Sequence, residues 1–490
     1  MLFTSLEFFV FLPLALLLFA LLPADKRWIG LLLASCAFYG ALRPFNLVYL
    51  GAVTLFVWAC ATALERSSSE RSRRLILAAG LVVVIGSLFV FKFYDFVAGE
   101  LERLAGDTFG PDWTIALPRL GATAPAGYSF YVFSAASCLI DIFARRLPGR
   151  PPAGDLALYL AWFPKIFAGP IDRATNFLPQ LSAGLRADPG RFVLGLQMIG
   201  WGLIKKVVIA DNLAPFVDRI FGIAAFASPI DLLISVYCFA FQIYCDFSGY
   251  TDIAIGVSLL FGLQLMENFR RPYLSRSTAE FWGERWHISL GRWFRDYLYI
   301  PLGGGRAGPV RHYLNLMLVF IASGLWHAGL GYGVGWTFLV WGALNGAYQW
   351  AGLATRPFWM RVGERLPRIR RSLALHALRV FLTFHLIAVT WVFFRARSLG
   401  DAWLILRKIA VNLLEIPTLL SRFPFSADHY WALGLIAFLV GFELVDERHS
   451  VFKRLAAAPR MLRWAIYYLA IFALLILGRW QAREFIYMQF

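Results

Sequence analysis

Two histidines hold the strongest chemical promise in this sequence. His327 sits in Ser323-Gly-Leu-Trp-His-Ala-Gly-Leu-Gly-Tyr-Gly-Val-Gly-Trp336, a glycine-rich run between two apolar stretches. A buried imidazole is costly unless it is hydrogen-bonded or at work. It is either a bonded core histidine or a general base that takes the proton from a buried hydroxyl. His287 lies in Phe281-Trp-Gly-Glu-Arg-Trp-His-Ile-Ser-Leu-Gly-Arg-Trp-Phe-Arg-Asp-Tyr-Leu-Tyr299, with Trp286 before it and Ser289 two positions after it. It belongs either to the same site or to an interfacial structure. The histidines are 40 residues apart, with no HExxH pattern and no cysteine neighbour, so no metal site is expected.

A second polar group interrupts an apolar run at Gln242, Asp246, Ser248, Tyr250, Thr251 and Asp252. Asp246 and Asp252 are six residues apart, which puts them roughly 120° out of phase on one unbroken helix. They are poor partners for a two-carboxylate device. Either they cap and hydrogen-bond between helices, or they shape a polar cavity. Asn268-Phe-Arg-Arg-Pro-Tyr273 and the Phe281–Tyr299 segment alternate arginines with large rings, the texture of a surface lying along the membrane interface, and with Pro301–Gly305 after it such a segment can also form one mouth of an intramembrane cavity. Arg270, Arg271, Arg285, Arg292 and Arg295 either anchor that surface or steer an anionic group. The Gly303-Gly-Gly305 run lacks the spacing and the lysine of a phosphate loop, and no GxSxG elbow accompanies Ser248.

The elements that position these residues must be membrane helices. The chain has 490 residues, is 59 % hydrophobic, and contains 45 Phe, 18 Trp and 19 Tyr. Apolar runs extend from Leu6–Leu22 to Trp464–Leu477, several of them short for a span. The fold class expected is all-α and polytopic, with about 11 transmembrane helices plus re-entrant or interfacial pieces. Trp162-Phe-Pro-Lys-Ile-Phe-Ala-Gly-Pro-Ile-Asp172 breaks a straight helix, and Lys165 and Asp172 there hold a helix end or line a cavity.

Basic loops at Lys26/Arg27, Arg66–Arg74 and Arg145–Arg150 alternate with an acidic stretch, Asp95–Arg119, which places the amino terminus outside. The first span has no cleavage pattern and reads as retained. The net charge of +17 suits cytoplasmic loops beside anionic lipid. Scattered over membrane loops without a binding module, it excludes nucleic acid as a partner. Cys36, Cys60, Cys138, Cys238 and Cys245 lie in apolar or near-apolar surroundings and read as small hydrophobes.

Both histidine segments, together with Asp246-Phe-Ser-Gly-Tyr-Thr-Asp252, Met266-Glu-Asn-Phe-Arg270, Arg295-Asp-Tyr-Leu-Tyr-Ile-Pro-Leu-Gly-Gly304 and Trp341-Gly, resemble the membrane-bound O-acyltransferase family. The likeness is to its alginate O-acetyltransferase branch, and more distantly to the D-alanyl transfer proteins of teichoic acid modification. Gly169-Pro-Ile171, Gly202-Leu-Ile-Lys-Lys206 and the terminal Phe485–Phe490 extend it over most of the chain.

The resemblance implies one integrated domain. Helices in 1–150 support a core in 151–350, crossed by a central tunnel and followed by helices in 351–490. It places the catalytic imidazole on His327 and a second on His287. Asp246, Ser248, Tyr250, Asp252, Trp286, Trp326 and Asn268 would line or orient, and the five arginines would sit at the donor mouth. No cofactor is bound permanently. The donor implied is a cytoplasmic thioester, acyl-CoA or acyl carrier protein, most simply acetyl. The acceptor implied is an extracytoplasmic polysaccharide hydroxyl or a partner protein that relays the acyl group, in a bacterial cytoplasmic membrane. Two departures sit beside the histidines: a longer glycine-rich link after His327, and one extra residue before His287. Both bear on which substrate fits. A secondary transporter or a non-enzymatic export scaffold is the rival, but no inverted repeat supports transport.

Overall fold

The computed structural model describes residues 1–110, 117–121, 124–186, 188–306, 308–328, 335–370, 372–480, 483 and 485–486. All regular elements among them are helical. Seven helices are long and apolar enough to cross a membrane: Asn46–Arg66, Glu70–Lys92, Pro189–Gly222, Pro229–Leu260, Leu373–Arg395, Ala427–His449 and Arg460–Leu477. That is fewer than the eleven expected. Runs such as Leu6–Leu21 and Tyr128–Phe143 make helices of only 16 residues. The second of these is almost wholly buried in protein. Apolar character there reflects neighbouring helices rather than lipid.

Residues 1–150 hold six helices where five were expected. The extra one is Tyr94–Phe109, in the acidic stretch read as a loop. Arg103 bonds Glu100 one turn back at 2.9 Å and reaches Asp107 one turn on, an arrangement that stabilises an exposed helix. The break expected at Trp162–Asp172 is present: the Ala153–Ala161 helix stops, and turns follow.

Pro229–Leu260 is the central element. Of its most apolar 18-residue stretch, 83 % is buried, against none for Arg460–Leu477, which faces outward. Four glycines explain how it sits so deep. A Cβ at Gly202 would lie 2.6 Å from the Gly249 carbonyl oxygen, and one at Gly195 would lie 2.6 Å from that of Gly256. Each pair is repeated after seven residues, two helical turns, so the Pro189–Leu203 helix runs backbone to backbone along the central one. Beyond it the chain widens into a π-helical turn at Ile204–Ala210, which presents Lys205 and Lys206 to the central helix.

The basic loops share one face. Arg27 donates to the Leu185 carbonyl at 2.7 Å, Arg73 to the Phe143 carbonyl at 2.9 Å, and Arg150 pairs with Glu65 at 3.5 Å. The Phe281–Tyr299 segment is not the interfacial surface its composition suggested. Phe281, Trp286, His287, Ile288, Ser289, Leu290, Trp293 and Phe294 are all buried. Two π-helical turns, Phe281–Arg285 and Arg295–Tyr299, flank a short helix, Ile288–Phe294, and fold the rings inward while Arg292 and Arg295 stay exposed.

Because the glycine contact is made by backbone, Gly249→Val forces the two helices apart at a cost of about 1–3 kcal/mol. It is expected to lower the melting temperature of the detergent-solubilised chain in size-exclusion assays after heating. Gly200→Ala is the control, since nothing lies within 4 Å of a Cβ there.

Candidate active site

His327 is the last residue of the Pro309–His327 helix and is 3 % exposed. Its Nδ1 lies 2.7 Å from the Ser323 carbonyl oxygen, one turn back. A carbonyl only accepts, so Nδ1 carries the proton, and in the neutral ring Nε2 is the proton acceptor. The Gly335–Arg365 helix packs against this one through small residues: a Cβ at Gly324 would meet the Phe338 carbonyl oxygen at 2.4 Å, and one at Gly342 that of Phe320 at 2.5 Å. This approach brings the Trp341 ring to 5.1 Å from His327. Trp326 covers the imidazole at 4.8 Å, and Phe394 lies at 5.7 Å.

His287 is 2 % exposed and has a left-handed backbone, φ 42° and ψ 52°. That conformation is unfavourable for a non-glycine residue and persists only where its surroundings enforce it. Asn268 enforces it. The Ile288 N–H donates to the Asn268 carbonyl at 2.9 Å. The Asn268 Oδ1 accepts from the Ser289 N–H at 3.1 Å and the Ser289 hydroxyl at 2.8 Å, and lies 3.1 Å from His287 Nδ1. The backbone donor identifies that atom as the amide oxygen, so His287 Nδ1 donates and Nε2 points the other way. The Ile171 N–H donates to Ser289 Oγ at 3.0 Å, tying the broken Trp162–Asp172 segment to the same cluster. Thr251, on the central helix, accepts from Asn268 Nδ2 at 3.4 Å. Rings of Phe247 at 4.7 Å and Trp326 at 6.2 Å enclose His287, so Trp326 touches both imidazoles.

The other polar candidates are placed elsewhere. Asp246 holds Lys206 at 2.7 Å and accepts the Ile486 N–H at 2.7 Å, while Asp211 takes Lys206 from the other side at 3.0 Å. Asp252 pairs with Lys205 at 2.5 Å. Neither carboxylate bonds an imidazole among the described residues. Tyr250 donates to the Pro164 carbonyl at 3.2 Å and stacks on Phe3. Ser248 Oγ is buried without a hydrogen-bond partner among the described residues. Trp286 packs between Phe281 and Trp391. Lys205 and Lys206 figure in the sequence only as part of the Gly202–Lys206 likeness, and their pairing with these aspartates is new. Two ammonium groups inside an apolar run call for two acids, and the out-of-phase aspartates supply them.

The arginines divide into two sets. Arg285 is held by Glu280 at 2.8 Å and Glu447 at 2.9 Å, and Arg271 by Glu447 at 2.5 Å and by Asp446. Arg270 pairs with Glu267, whose carboxylate holds the guanidinium above its ordinary pKa. Arg292 and Arg295 instead line a cleft of about 1020 Å³, where Arg173, Arg186 and Arg191 join them against Asp172, Glu267 and Asp296. Ile288, next to His287, is part of its wall. The cleft opens on the face of the basic loops, since Leu185 receives Arg27 and Tyr297 donates to Asp141 at 2.8 Å. His327 lies toward the opposite face: Lys92, at the far end of the Glu70–Lys92 helix from the basic loop, donates to the Trp326 carbonyl at 3.2 Å. The glycine-rich link at 329–334 lies outside the described residues. No group of three or more His, Cys, Asp or Glu is placed to hold a metal among the described residues.

Residues 142–394, which include both histidines, Asn268 and Trp341, match the membrane-bound O-acyltransferase family. The chain belongs to that family. It is 37 % identical over 396 residues to a probable alginate O-acetylase of Azotobacter vinelandii, covering 81 % of this chain and 75 % of that protein. It is 33 % identical over 441 residues to a peptidoglycan O-acetyltransferase of Helicobacter pylori, covering 82 % and 78 %. A teichoic acid D-alanyltransferase of Bacillus subtilis is 28 % identical over 176 residues, covering 36 % and 44 %. This membrane-bound O-acyltransferase is thus an enzyme that transfers an acyl group, with a multi-pass helical body.

Asn268 orients His287 through one oxygen, so Asn268→Ala is expected to lower acyl transfer per folded molecule at least about tenfold, beyond whatever loss of folded protein the broken buried bonds cause. Turnover per folded molecule in membranes measures it.

Proposed function

We propose that the protein moves an acetyl group from a cytoplasmic thioester, acetyl-CoA or an acyl carrier protein, to a hydroxyl on the other side of a bacterial cytoplasmic membrane. The acceptor is an extracytoplasmic polysaccharide or a partner protein that passes the group on. The observation that carries this reading is the His327 Nδ1 bond to the Ser323 carbonyl, which leaves Nε2 as the proton acceptor in a dry, aromatic pocket. His327 takes the proton from the acceptor hydroxyl as its oxygen attacks the thioester carbonyl. His287, fixed by Asn268, orients the donor from the cleft side. The transfer is direct and needs no acyl-enzyme intermediate.

The cleft supports the donor side of the proposal. Five arginines against three carboxylates suit the phosphates of a coenzyme or carrier prosthetic group. Arg292 and Arg295 are the donor contacts we favour, because both are exposed and line the cleft, Arg295 beside its partner Asp296, whereas Arg270, Arg271 and Arg285 lie outside that lining. With the basic loops cytoplasmic, the cleft faces the donor and the amino terminus lies outside. A tunnel from the cleft past Ile288, His287 and Trp326 to His327 completes the path, within a core at 151–350. The alginate and peptidoglycan acetylating relatives support acetyl as the group and a glycan as the destination.

In cells expressing the protein at matched membrane levels, His327→Ala is expected to cut acetyl transfer to extracytoplasmic glycan by roughly 10²-fold or more. His287→Ala is expected to lower it less. Mass spectrometry of the released acyl groups reads the rate and names the group. Transfer at the wild-type rate in His327→Ala makes the imidazole structural.

A further inference from the structure

An acyl transfer through a tetrahedral centre develops negative charge on the carbonyl oxygen, and hydrogen-bond donors fixed in advance at that position supply a large part of the catalysis. Two donors stand beside His327. The indoles of Trp326 and Trp341 contact its ring at 4.8 Å and 5.1 Å from different helices, and they are 5 % and 1 % exposed. A buried indole N–H usually finds an acceptor. Trp162 donates to Ser258, Trp282 to Asn345 and Trp293 to the Phe133 carbonyl, each at 2.9 Å. Trp326 Nε1 and Trp341 Nε1 have no acceptor among the described residues. Trp58 and Trp391 share that property, but neither makes a described ring contact with His327. Lys92 Nζ, 5.6 Å from the Trp326 ring centroid, adds positive charge on that side.

We infer that the indole N–H groups of Trp326 and Trp341 bind the acyl carbonyl oxygen and stabilise the oxyanion of the transfer. The inference rests on His327 as the proton acceptor proposed above. As the acceptor oxygen bonds to the carbonyl carbon, its proton passes to His327 Nε2 and the carbonyl π pair moves onto oxygen, where the two N–H groups hold it. Collapse restores the C=O bond and breaks the C–S bond, and His327 returns the proton to the departing thiolate. Both rings belong to the aromatic packing, so the N–H must be removed without removing the ring.

The test measures initial rates in everted membrane vesicles carrying the full chain, with labelled acetyl-CoA as the donor and incorporation into macromolecular material as the readout. Trp326→Phe and Trp341→Phe are compared with wild type and His327→Ala, and each indole is also replaced by 3-benzothienylalanine, which keeps the bicyclic shape but has sulfur in place of N–H. Loss of the donors is expected to lower kcat by roughly 10²–10³-fold, with KM for acetyl-CoA within about threefold of wild type. The benzothienyl variants should match the phenylalanine ones. Loss at one position only assigns the oxyanion contact to that indole. Wild-type kcat in both benzothienyl variants, with His327→Ala inactive, overturns the inference and leaves the base reading standing. An active His327→Ala removes the base and the inference with it.

Discussion

The backbone contact of Gly195 and Gly202 with Gly256 and Gly249 is the constraint on which the rest of the protein depends. It allows the Pro229–Leu260 helix to lie in the middle of the molecule with protein on nearly every side. From that helix Phe247 reaches His287, Thr251 meets Asn268, and Asp246 and Asp252 take Lys206 and Lys205. Two helices held apart by a single extra methyl group would shift all four of these contacts together. Packing of small residues and placement of the imidazoles are therefore one problem.

Charge inside the protein falls into two classes with different work. The Lys206–Asp211–Asp246 cluster is buried and the Lys205–Asp252 pair nearly so, both are mutually satisfied, and the cluster also receives the Ile486 N–H. Their worth lies in fixing one arrangement of helices, because breaking any member strands a charge away from water. The cleft arginines, by contrast, outnumber the carboxylates around them and face an open volume. The same guanidinium chemistry thus serves structure at Arg271 and Arg285, where carboxylates neutralise it, and faces the open cleft at Arg292 and at Arg295, whose partner Asp296 shares that lining.

Much of the architecture is legible in the sequence, because hydrocarbon forces helices and hydropathy reveals them. Polar residues in apolar company marked His327 and the Asp246–Asp252 stretch, whereas His287 stood out in a charged, aromatic segment and Asn268 only through the family resemblance. The phase between the two aspartates ruled out a carboxylate pair, and the structure sends them to different lysines. Span number was not legible, since hydropathy does not distinguish lipid from a protein neighbour, as Tyr128–Phe143 illustrates. Nor was the inward turn of Phe281–Tyr299, which depends on π-helical turns and on one left-handed residue, features that leave no periodic trace. The Asn268–His287 bond spans 19 residues and exists only once the chain has folded. Glu100, Arg103 and Asp107 did carry a readable helical spacing within a stretch taken for a loop.

His327 draws its orientation from the residue one turn behind it, and its helix ends there. The Nδ1 bond that aims the imidazole is therefore made within a single helix, whereas the Trp341 and Phe394 rings beside it come from other elements. The tautomer is thus settled locally, by the spacing of one helical turn, and docking of the neighbouring helices decides only what surrounds the ring.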